Sequence, residues 1–357
     1  MQPAGASPAV PAAADSTPAC VVVTGNPNCG KTTVFNALTG LRAKVGNYAG
    51  VTVERKEGRL QGAPPGREIR VLDLPGSYSL IPQSLDEQVA RDILLERLPE
   101  VPAPDAIVVV VDASNLERNL YFATQVIELG YPTLVALNMM DVAASLGHAI
   151  DPAKLSQGLG VPVIPLVASS GKGLPGLKQQ ILTALTQRPT AGPKQFCQLP
   201  PLFQQETKAM ARLLDETQSA AHPHHLTEAQ LLLTNERALT SSAQHYPLPV
   251  ADAVYAAHRR LEAASVDWRS AAIESRYARV AALAREVTTD AGPGGETFSD
   301  RLDRVLTHNV WGTLIFLLVM GLLFQGIFSL APIPMAASQG VVDWLGSVWA
   351  APCLRAT

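Results

Sequence analysis

Eight consecutive residues near the N-terminus have the types and spacing of a phosphate-binding loop. They fit the pattern GxxxxGK(S/T), directly after the apolar run VVVT and before the helical stretch VFNALTG. In such a loop the backbone N–H groups, with those of the following helix N-terminus at Thr33, hold phosphate oxygens. Lys31 neutralises the β- and γ-phosphates, and the Thr32 hydroxyl ligates Mg²⁺. The predicted loop comprises Gly25, Asn26, Pro27, Asn28, Cys29, Gly30, Lys31 and Thr32.

Two further motifs follow in the order that a guanine-nucleotide site requires. In the first, Asp73-Leu74-Pro75-Gly76, the carboxylate can hold Mg²⁺ through water, and the Gly76 N–H can meet the γ-phosphate. The second, Asn138-Met139-Met140-Asp141, follows the apolar run TLVAL. The Asp141 carboxylate can accept both the ring N–H and the amino group of guanine, and adenine offers neither in that arrangement. Asp141 therefore predicts selection of GTP over ATP.

Two loops complete the predicted site. Ala168-Ser169-Ser170 follows the run VIPLV at the place where GTPases usually have SAK, and we expect the Ser169 N–H near the guanine carbonyl oxygen. The segment KVGNYAGVTVERKEG is glycine-rich and able to rearrange between nucleotide states. Within it, Gly50-Val51-Thr52 supplies the expected switch threonine, a Mg²⁺ ligand when the γ-phosphate is present. Thr39 is the rival for that role.

The residues expected to promote hydrolysis are Asn28, Lys31, Thr52 and Gly76. Ser77 stands where Ras-like GTPases have a glutamine that orients the attacking water. The usual hydrolytic helper is therefore missing from the sequence.

The elements that must position these motifs alternate in the manner of an α/β fold. Five short β-branched runs, separated by helical stretches, predict a P-loop GTPase domain over residues 18–188, with a mostly parallel sheet and helices on both faces. Because ligands bind outside the carboxyl ends of such strands, the motifs should converge. The predicted strands are Val21–Thr24, Glu68–Leu72, Ala106–Val111, Thr133–Leu137 and Val163–Val167.

The rest of the chain divides by composition. Residues 1–17 predict a disordered tail, because they are rich in Ala and Pro. Residues 189–295 predict an all-α domain, with a capping box at Thr227 and Gln230 and a stretch from Val250 to Val287 that lacks Gly and Pro. The run AGPGGE at 291–296 predicts a hinge, and 296–310 an amphipathic lead-in.

Residues 311–330 contain no charged side chain and are long enough to cross a bilayer. We predict a transmembrane helix there, with a buried core helix as the alternative. Arg301, Arg304 and Trp311 lie on its N-terminal side, and the next positive residue after the span is Arg355. This asymmetry predicts a cytoplasmic N-terminal part. Residues 331–357 are expected to begin a further membrane region.

The net charge and the spacing of the cysteines argue against several other classes of protein. A net charge of −3 lacks the basic footprint of a nucleic-acid binder. Four cysteines without a CxxC pair argue against a disulfide framework and a structural zinc site. The cluster His222, His224 and His225 is interpreted as a solvated loop, with a metal site as the alternative. Cys29 is interpreted as a small packing residue, with a redox switch as the alternative.

Taken together, the motifs resemble the prokaryotic ferrous iron transport protein B family. The stretch GNPNCGKTTVFNALTGLRAKVGNYAGVTVERKEG, then DLPGSYSL and NMMD, is similar to its GTPase domain, and ESRYARVAALAREV with FSDRLDRVLTHNVWGTLIFLLVM is similar to its helical domain and membrane entry. The resemblance covers roughly residues 20–330. It implies GTP-coupled Fe²⁺ uptake across the bacterial inner membrane by a multi-pass protein, and a helical domain that strengthens GDP binding.

The same resemblance implies several ligands and partners. Beside GTP, GDP and Mg²⁺ it implies K⁺, held by the Asn28 side chain and carbonyls near Gly46 and Tyr48, where a cation would stabilise developing charge. The alternative is that Asn28 only shapes the loop. The implied partners are membrane lipid, the remaining membrane domain, small Feo accessory proteins and a second copy of the chain.

Family members normally continue into a long polytopic membrane domain, and this chain has one clear span. The alternative function is therefore a membrane-attached regulatory or assembly GTPase without transport. Asp141 argues against a third function, an ATP-driven pump.

Overall fold

The computed structural model describes residues 18–41, 43–48, 51–187, 194–217, 224–235, 246–290, 298–330, 338–342 and 344. The chain forms two compact units, Met1–Gly292 and Pro293–Thr357. The predicted tail at 1–17, the predicted hinge at 291–296 and most of 331–357 lie outside the described residues.

A seven-stranded sheet forms the centre of the first unit. Its order is β2-β3-β4-β1-β5-β6-β8, with parallel pairing throughout except for the antiparallel β2 and β3 at one edge. The predicted mostly parallel sheet is confirmed. The strands are β1 (Ala19–Gly25), β2 (Ala43–Asn47), β3 (Glu54–Arg59), β4 (Ile69–Asp73), β5 (Ala106–Asp112), β6 (Thr133–Asn138) and β8 (Val163–Pro165).

Helices cover both faces of the sheet because its central strands are apolar on both sides. On one face Val22 belongs to a core shared with α2, α3 and α5, and on the other Val21 and Val23 belong to a core shared with α1 and α6. The helices are α1 (Lys31–Thr39), α2 (Leu85–Leu94), α3 (Leu116–Glu128), α4 (Met140–Ser145), α5 (Pro152–Leu159) and α6 (Leu174–Ala184).

Four helices follow: α7 (Pro201–Thr217), α8 (His225–Thr234), α9 (Leu248–Ala263) and α10 (Ala271–Val287). The first three enclose a separate core around Phe203, Leu233 and Trp268. The fourth instead inserts Val280 and Leu283 into the core of the sheet region. The strand β9 (Thr288–Asp290), directly after α10, pairs with β7 (His148–Ile150), which lies between α4 and α5.

One sequence prediction within these helices is wrong. Thr227 is no cap, because α8 already begins at His225 and the Thr227 hydroxyl donates a hydrogen bond to the Glu128 carbonyl at 2.7 Å. The stretch 250–287, which lacks Gly and Pro, forms parts of two helices. It breaks at Ser265, which has a left-handed φ of 57°, and before Asp267, whose carboxylate accepts the Arg269 N–H at 3.0 Å.

The second unit contains α11 (Phe298–Leu306) and α12 (Trp311–Leu330). Residues Trp311–Phe328 have a mean hydropathy of 2.0, and none of this window is buried. Among the described residues, α12 is the one helix long and apolar enough to cross a membrane. Its exposure differs from that of a core helix in a water-soluble protein.

Candidate nucleotide site

The predicted phosphate loop lies between the end of β1 at Gly25 and the start of α1 at Lys31. Gly30 precedes the helix with a left-handed φ of 83°, and a Cβ there would lie 2.3 Å from the Asn138 amide nitrogen. A side chain at this position is therefore excluded both by backbone conformation and by space. The loop is built for close approach of its backbone to neighbouring groups.

The Asp73-Gly76 segment packs directly against this loop. Strand β4 lies beside β1, the Leu74 N–H donates to the Val23 carbonyl at 2.9 Å, and the Ser77 N–H donates to the Gly25 carbonyl at 3.1 Å. A Cβ on Gly76 would lie 2.9 Å from the Pro27 nitrogen. These contacts bring the two predicted phosphate motifs together at the carboxyl ends of adjacent strands.

Asp73 and Lys31 form a mostly buried ion pair, with Nζ 3.4 Å from Oδ1. Burial raises the pKa of the Asp73 carboxyl, and the Lys31 ammonium and the Thr32 hydroxyl oppose that rise. Among the described residues, Oδ1 has no hydrogen-bond partner. A buried carboxylate oxygen with free acceptor capacity, beside an exposed Thr32, fits the hard oxygen ligands that Mg²⁺ prefers.

Asn138 connects the phosphate loop to the predicted base-binding loop. Its amide nitrogen donates to the Cys29 carbonyl at 3.1 Å, and its amide oxygen accepts the Ala168 N–H at 3.0 Å. The side chain is 3% exposed, so both bonds lie in a dry environment. One amide thus fixes the distance between two loops that are far apart in sequence.

The other predicted base contacts lie around this amide. Met139 has a left-handed φ of 61° and precedes α4, where Asp141 is exposed in the first turn. Met140 packs against the core of the sheet region. Ala168 is buried, whereas Ser169 and Ser170 are exposed. The structure therefore leaves the Asp141 carboxylate and the Ser169 backbone accessible to a ligand.

Cys29 is buried at 1% exposure, and burial raises the pKa of its thiol to about 11. A thiol with so little thiolate at neutral pH reacts slowly. This supports the interpretation of Cys29 as a packing residue.

The structure excludes Thr39 as the switch threonine. The Thr39 hydroxyl is buried and donates to the Phe35 carbonyl of its own helix at 2.9 Å, so it cannot reach a nucleotide. Thr52 is exposed and Val51 is half-buried, while Gly50 lies outside the described residues. Thr52 is thus the accessible threonine of the two.

The carbonyls expected around K⁺ are engaged elsewhere in this conformation. Gly46 lies in β2, paired with Arg55 of β3, and the Tyr48 carbonyl accepts the Val51 N–H at 3.2 Å. Asn28 itself is exposed, with a left-handed φ of 65°. Coordination of a cation by these groups would require residues 46–48 to change conformation.

The Ser77 side chain is buried rather than open to solvent. It is 2% exposed, and its hydroxyl has no hydrogen-bond partner among the described residues.

The loop after Ser77 is held by residues that the sequence analysis missed. The Glu87 carboxylate accepts the N–H groups of Tyr78 at 3.1 Å and Gln83 at 2.7 Å. The Gln125 side chain on α3 accepts the Leu80 N–H at 2.9 Å. The spacing Ser84-x-x-Glu87 is a capping-box signal that could have revealed the first of these, whereas Gln125 carries no local signal.

The same face of α3 also holds the helical region. Glu128 pairs with Arg276 of α10 at 2.5 Å, and both side chains are about 95% buried. Glu128 also accepts the Phe196 N–H at 2.7 Å, and Arg276 donates to the Thr124 hydroxyl at 3.2 Å. The Tyr121 and Tyr277 rings stack with centroids 4.4 Å apart. This surface, formed by α3, residue 196 and α10, is called the α3 seam below.

The predicted solvated histidine loop is wrong for the two histidines that the structure describes. His224 and His225 are 2% and 3% exposed. His224 Nδ1 contacts the Leu129 carbonyl at 2.5 Å, and His225 pairs with Asp215. His222 lies outside the described residues, among which no group of three or more His, Cys, Asp and Glu side chains could hold a metal ion.

In sequence and in structure, the chain is similar to proteins of one family. The family model FeoB_N, described as ferrous iron transport protein B, matches residues 19–181. The Fe(2+) transporter FeoB of Leptospira biflexa is 35% identical over 345 residues, covering 92% of this chain and 47% of that protein. The Fe(2+) transport protein A/Fe(2+) transporter FeoB fusion protein of Porphyromonas gingivalis is 33% identical over 336 residues, covering 92% of this chain and 39% of that protein.

Solved structures of proteins named FeoB are also similar to this chain. The crystal structure of an S. thermophilus NFeoB mutant bound to mGDP has a TM-score of 0.65 and 33% identity, and it covers 76% of this chain and 100% of that chain. The chain spans less than half the length of the curated relatives named above.

Proposed function

This chain belongs to the ferrous iron transport protein B family, and we propose that it is the GTP-binding, GTP-hydrolysing cytosolic switch of a transporter that carries Fe²⁺ across the bacterial inner membrane. The observation that carries the nucleotide part of this proposal is the Asn138 link. It joins the Cys29 carbonyl to the Ala168 N–H, and this closeness of the predicted phosphate loop and the predicted base loop supports one shared nucleotide site.

Each motif has a defined role in this proposal. Asp141 and the Ser169 N–H select guanine, and the loop from Gly25 to Thr33 holds the phosphates. Thr32 and Asp73 would hold Mg²⁺, joined by Thr52 when the γ-phosphate is present. Bound there, Mg²⁺ would neutralise charge on the β- and γ-phosphate oxygens.

Lys31 and the Gly76 N–H stabilise charge on the γ-phosphate during hydrolysis. Removal of the ammonium by Lys31→Ala should abolish hydrolysis, and Asp73→Asn should reduce it by weakening the hold on Mg²⁺. Both rates are measured as phosphate release by the full chain. Unchanged rates in both variants would refute the assignment of this site.

Asn28 is proposed to hold K⁺ after residues 46–48 have rearranged around GTP. The parent chain should then hydrolyse GTP faster in potassium chloride than in sodium chloride, and Asn28→Ala should remove the difference. Equal rates of the parent in the two salts would exclude K⁺ and leave the GTPase assignment standing.

We assign residues 18–188 to the GTPase domain and 189–295 to a helical regulatory domain that strengthens GDP binding. The α3 seam supports this role, because one face of α3 contacts both the loop after Ser77, through Gln125, and the helical region, through Glu128. A change in that loop would thus act on a surface that the helical region shares.

For the remaining chain we propose that α12 spans the inner membrane, with the first unit in the cytoplasm. Fe²⁺ is the transported substrate, and the rest of a FeoB membrane domain, lipid, Feo accessory proteins and a second copy of the chain are the proposed partners. The fusion of Fe(2+) transport protein A to FeoB in the P. gingivalis relative supports an accessory partner. Fe²⁺ uptake by cells that express the full-length transporter should be lost with Lys31→Ala. Unchanged uptake would show that transport does not depend on GTP hydrolysis at this site.

A further inference from the structure

Helix α11 presents an apolar stripe on one side. Leu302, Val305 and Leu306 follow the spacing i, i+3, i+4, and they are 46%, 48% and 43% exposed. Asp303 and Arg304 lie at the intervening positions of the helix. Such a division into an apolar and a charged side is typical of a helix that lies at a boundary between water and an apolar medium.

A compact corner connects α11 to α12. His308 Nδ1 accepts the N–H groups of Val310 at 3.2 Å and Trp311 at 3.4 Å, and thereby caps the start of α12. A Cβ on Gly312 would lie 2.1 Å from the Leu306 carbonyl oxygen, so only glycine permits this approach. The two helices are therefore separate elements that are held close together at their junction.

The corner limits how far α11 can lie from the bilayer surface. Only residues 307–310 separate Leu306 from Trp311, the first residue of the apolar helix, and even a fully extended connection would span no more than about 18 Å. The hydrogen bonds of the corner shorten this reach. Interfacial helices bury their apolar face about 5–10 Å into the boundary between head groups and acyl chains, which is within this range.

We propose that α11 lies in the membrane interface, with Leu302, Val305 and Leu306 in lipid and Asp303 and Arg304 toward water. This inference rests on the proposed function, because it takes α12 as a membrane span. The sequence of α11 contains two Asp and two Arg, so its formal charge is zero. Lipid contact is then driven by the apolar side, and it requires neither anionic lipid nor low salt.

The test uses the full chain in phosphatidylcholine vesicles, with and without phosphatidylglycerol, and one environment-sensitive dye on a single cysteine. Cys20 and Cys29 are buried, and burial raises the pKa of each thiol to about 11, so they react slowly with the dye. Cys197→Ser and Cys353→Ser remove the other two thiols. The dye is placed by Leu302→Cys on the apolar side or by Asp303→Cys on the charged side, and Leu318→Cys reports on α12.

The dye at position 302 should emit at shorter wavelength and be quenched several-fold more by head-group-attached spin labels than the dye at 303. Aqueous iodide should show the opposite order, and both lipid compositions should give the same result. Because both positions carry the same dye, insertion by the dye itself cannot produce the difference.

Equal iodide quenching at 302 and 303 would overturn the proposal, since α11 would then lie in water. Shielding of position 302 from both iodide and lipid quenchers would also overturn it, because protein would cover the stripe. The dye at 318 should be quenched by spin labels deep in the acyl chains. Failure there would refute the span itself, and so separates failure of the proposed function from failure at α11 alone.

Discussion

Exchange of Asn138 for aspartate would remove one hydrogen bond from the nucleotide site and keep the shape of the side chain. In the parent chain the amide nitrogen donates to the Cys29 carbonyl at 3.1 Å, and the amide oxygen accepts the Ala168 N–H at 3.0 Å. In Asn138→Asp the second bond survives. The Cys29 carbonyl loses its donor and faces a carboxylate oxygen instead.

The expected loss follows from this single bond. A buried polar group left without its partner costs about 1–3 kcal/mol. GDP binds the loop arrangement that this bond holds, so a cost of about 2 kcal/mol that falls on that arrangement would weaken GDP binding by up to roughly thirtyfold, because 1.4 kcal/mol corresponds to a factor of ten. Burial at this position and the facing Cys29 carbonyl raise the pKa of the introduced aspartate above its ordinary value, so part of it regains a proton as the pH falls toward about 5. Its O–H can then again donate to Cys29, so the loss should shrink as the pH falls. Asn138→Ala loses both bonds and has no proton to regain, so its loss should be larger and should not recover.

The assay is a fluorescence titration with mant-labelled GDP on the full chain in detergent, from about pH 8 to about pH 5, with each variant compared with the parent at the same pH. Parent-like affinity of Asn138→Asp at pH 8 would refute the role of the amide as the link between the loops. Parallel pH curves for the aspartate and alanine variants would refute the proton argument, even if both bind weakly.

Two further predictions test the loop and the seam. Gly30→Ala should weaken GDP binding roughly tenfold or more in the same titration, because a left-handed alanine costs about 1–2 kcal/mol and its Cβ would clash. The control Gly62→Ala has the same left-handed φ of 83° but nothing within 4 Å of its Cβ, and it should bind GDP as the parent does. Arg276→Met leaves the Glu128 carboxylate buried without its ion-pair partner, and this should lower the free energy of unfolding by about 3–5 kcal/mol. In the double variant with Glu128→Gln the buried charge is gone, so most of the lost free energy should return. Denaturant unfolding measures both values. No recovery in the double variant would refute the charge argument.

The central strands could be predicted from sequence because each one is a short apolar run that ends at a motif. Strand β5 is the clearest case, since all seven of its residues are buried. Strand β3 (ERKEGR) could not be predicted, because it has no apolar run and its charged residues form ion pairs instead, such as Arg55 with Glu57 at 2.8 Å. Strands β7 and β9 have three residues each and exist only because tertiary packing brings them together.

The motifs of the site were predictable for a different reason. A phosphate loop is a local feature, so the spacing of its residues is enough to identify it. The NxxD motif that follows in the expected order then indicates a guanine base, through Asp141. The link from Asn138 to Cys29 spans 109 residues and depends on the register of β6 beside β5 and β1, which sequence spacing does not contain. The same holds for His224, whose burial follows from its contact with Leu129 and its ring contact with Tyr131, with centroids 4.3 Å apart.

The domain boundary that the sequence predicts near residue 189 does not coincide with the division between the two hydrophobic cores. Helix α10 lies in sequence within the helical region, yet Val280 and Leu283 complete the core of the sheet region, and Glu128 and Arg276 join the two across the α3 seam. Strand β9 then pairs with His148–Ile150, a few residues after Asp141. Undocking of the helical region would therefore expose apolar core and the buried charge of Glu128, and it would remove the strand that pairs with His148–Ile150. Linkage between two binding equilibria is reciprocal. If docking of the helical region strengthens GDP binding by a given free energy, GDP binding strengthens docking by the same free energy. Arg276→Met should then weaken GDP binding as well as stability, and an unchanged GDP affinity in a folded variant would show that the seam is structural only.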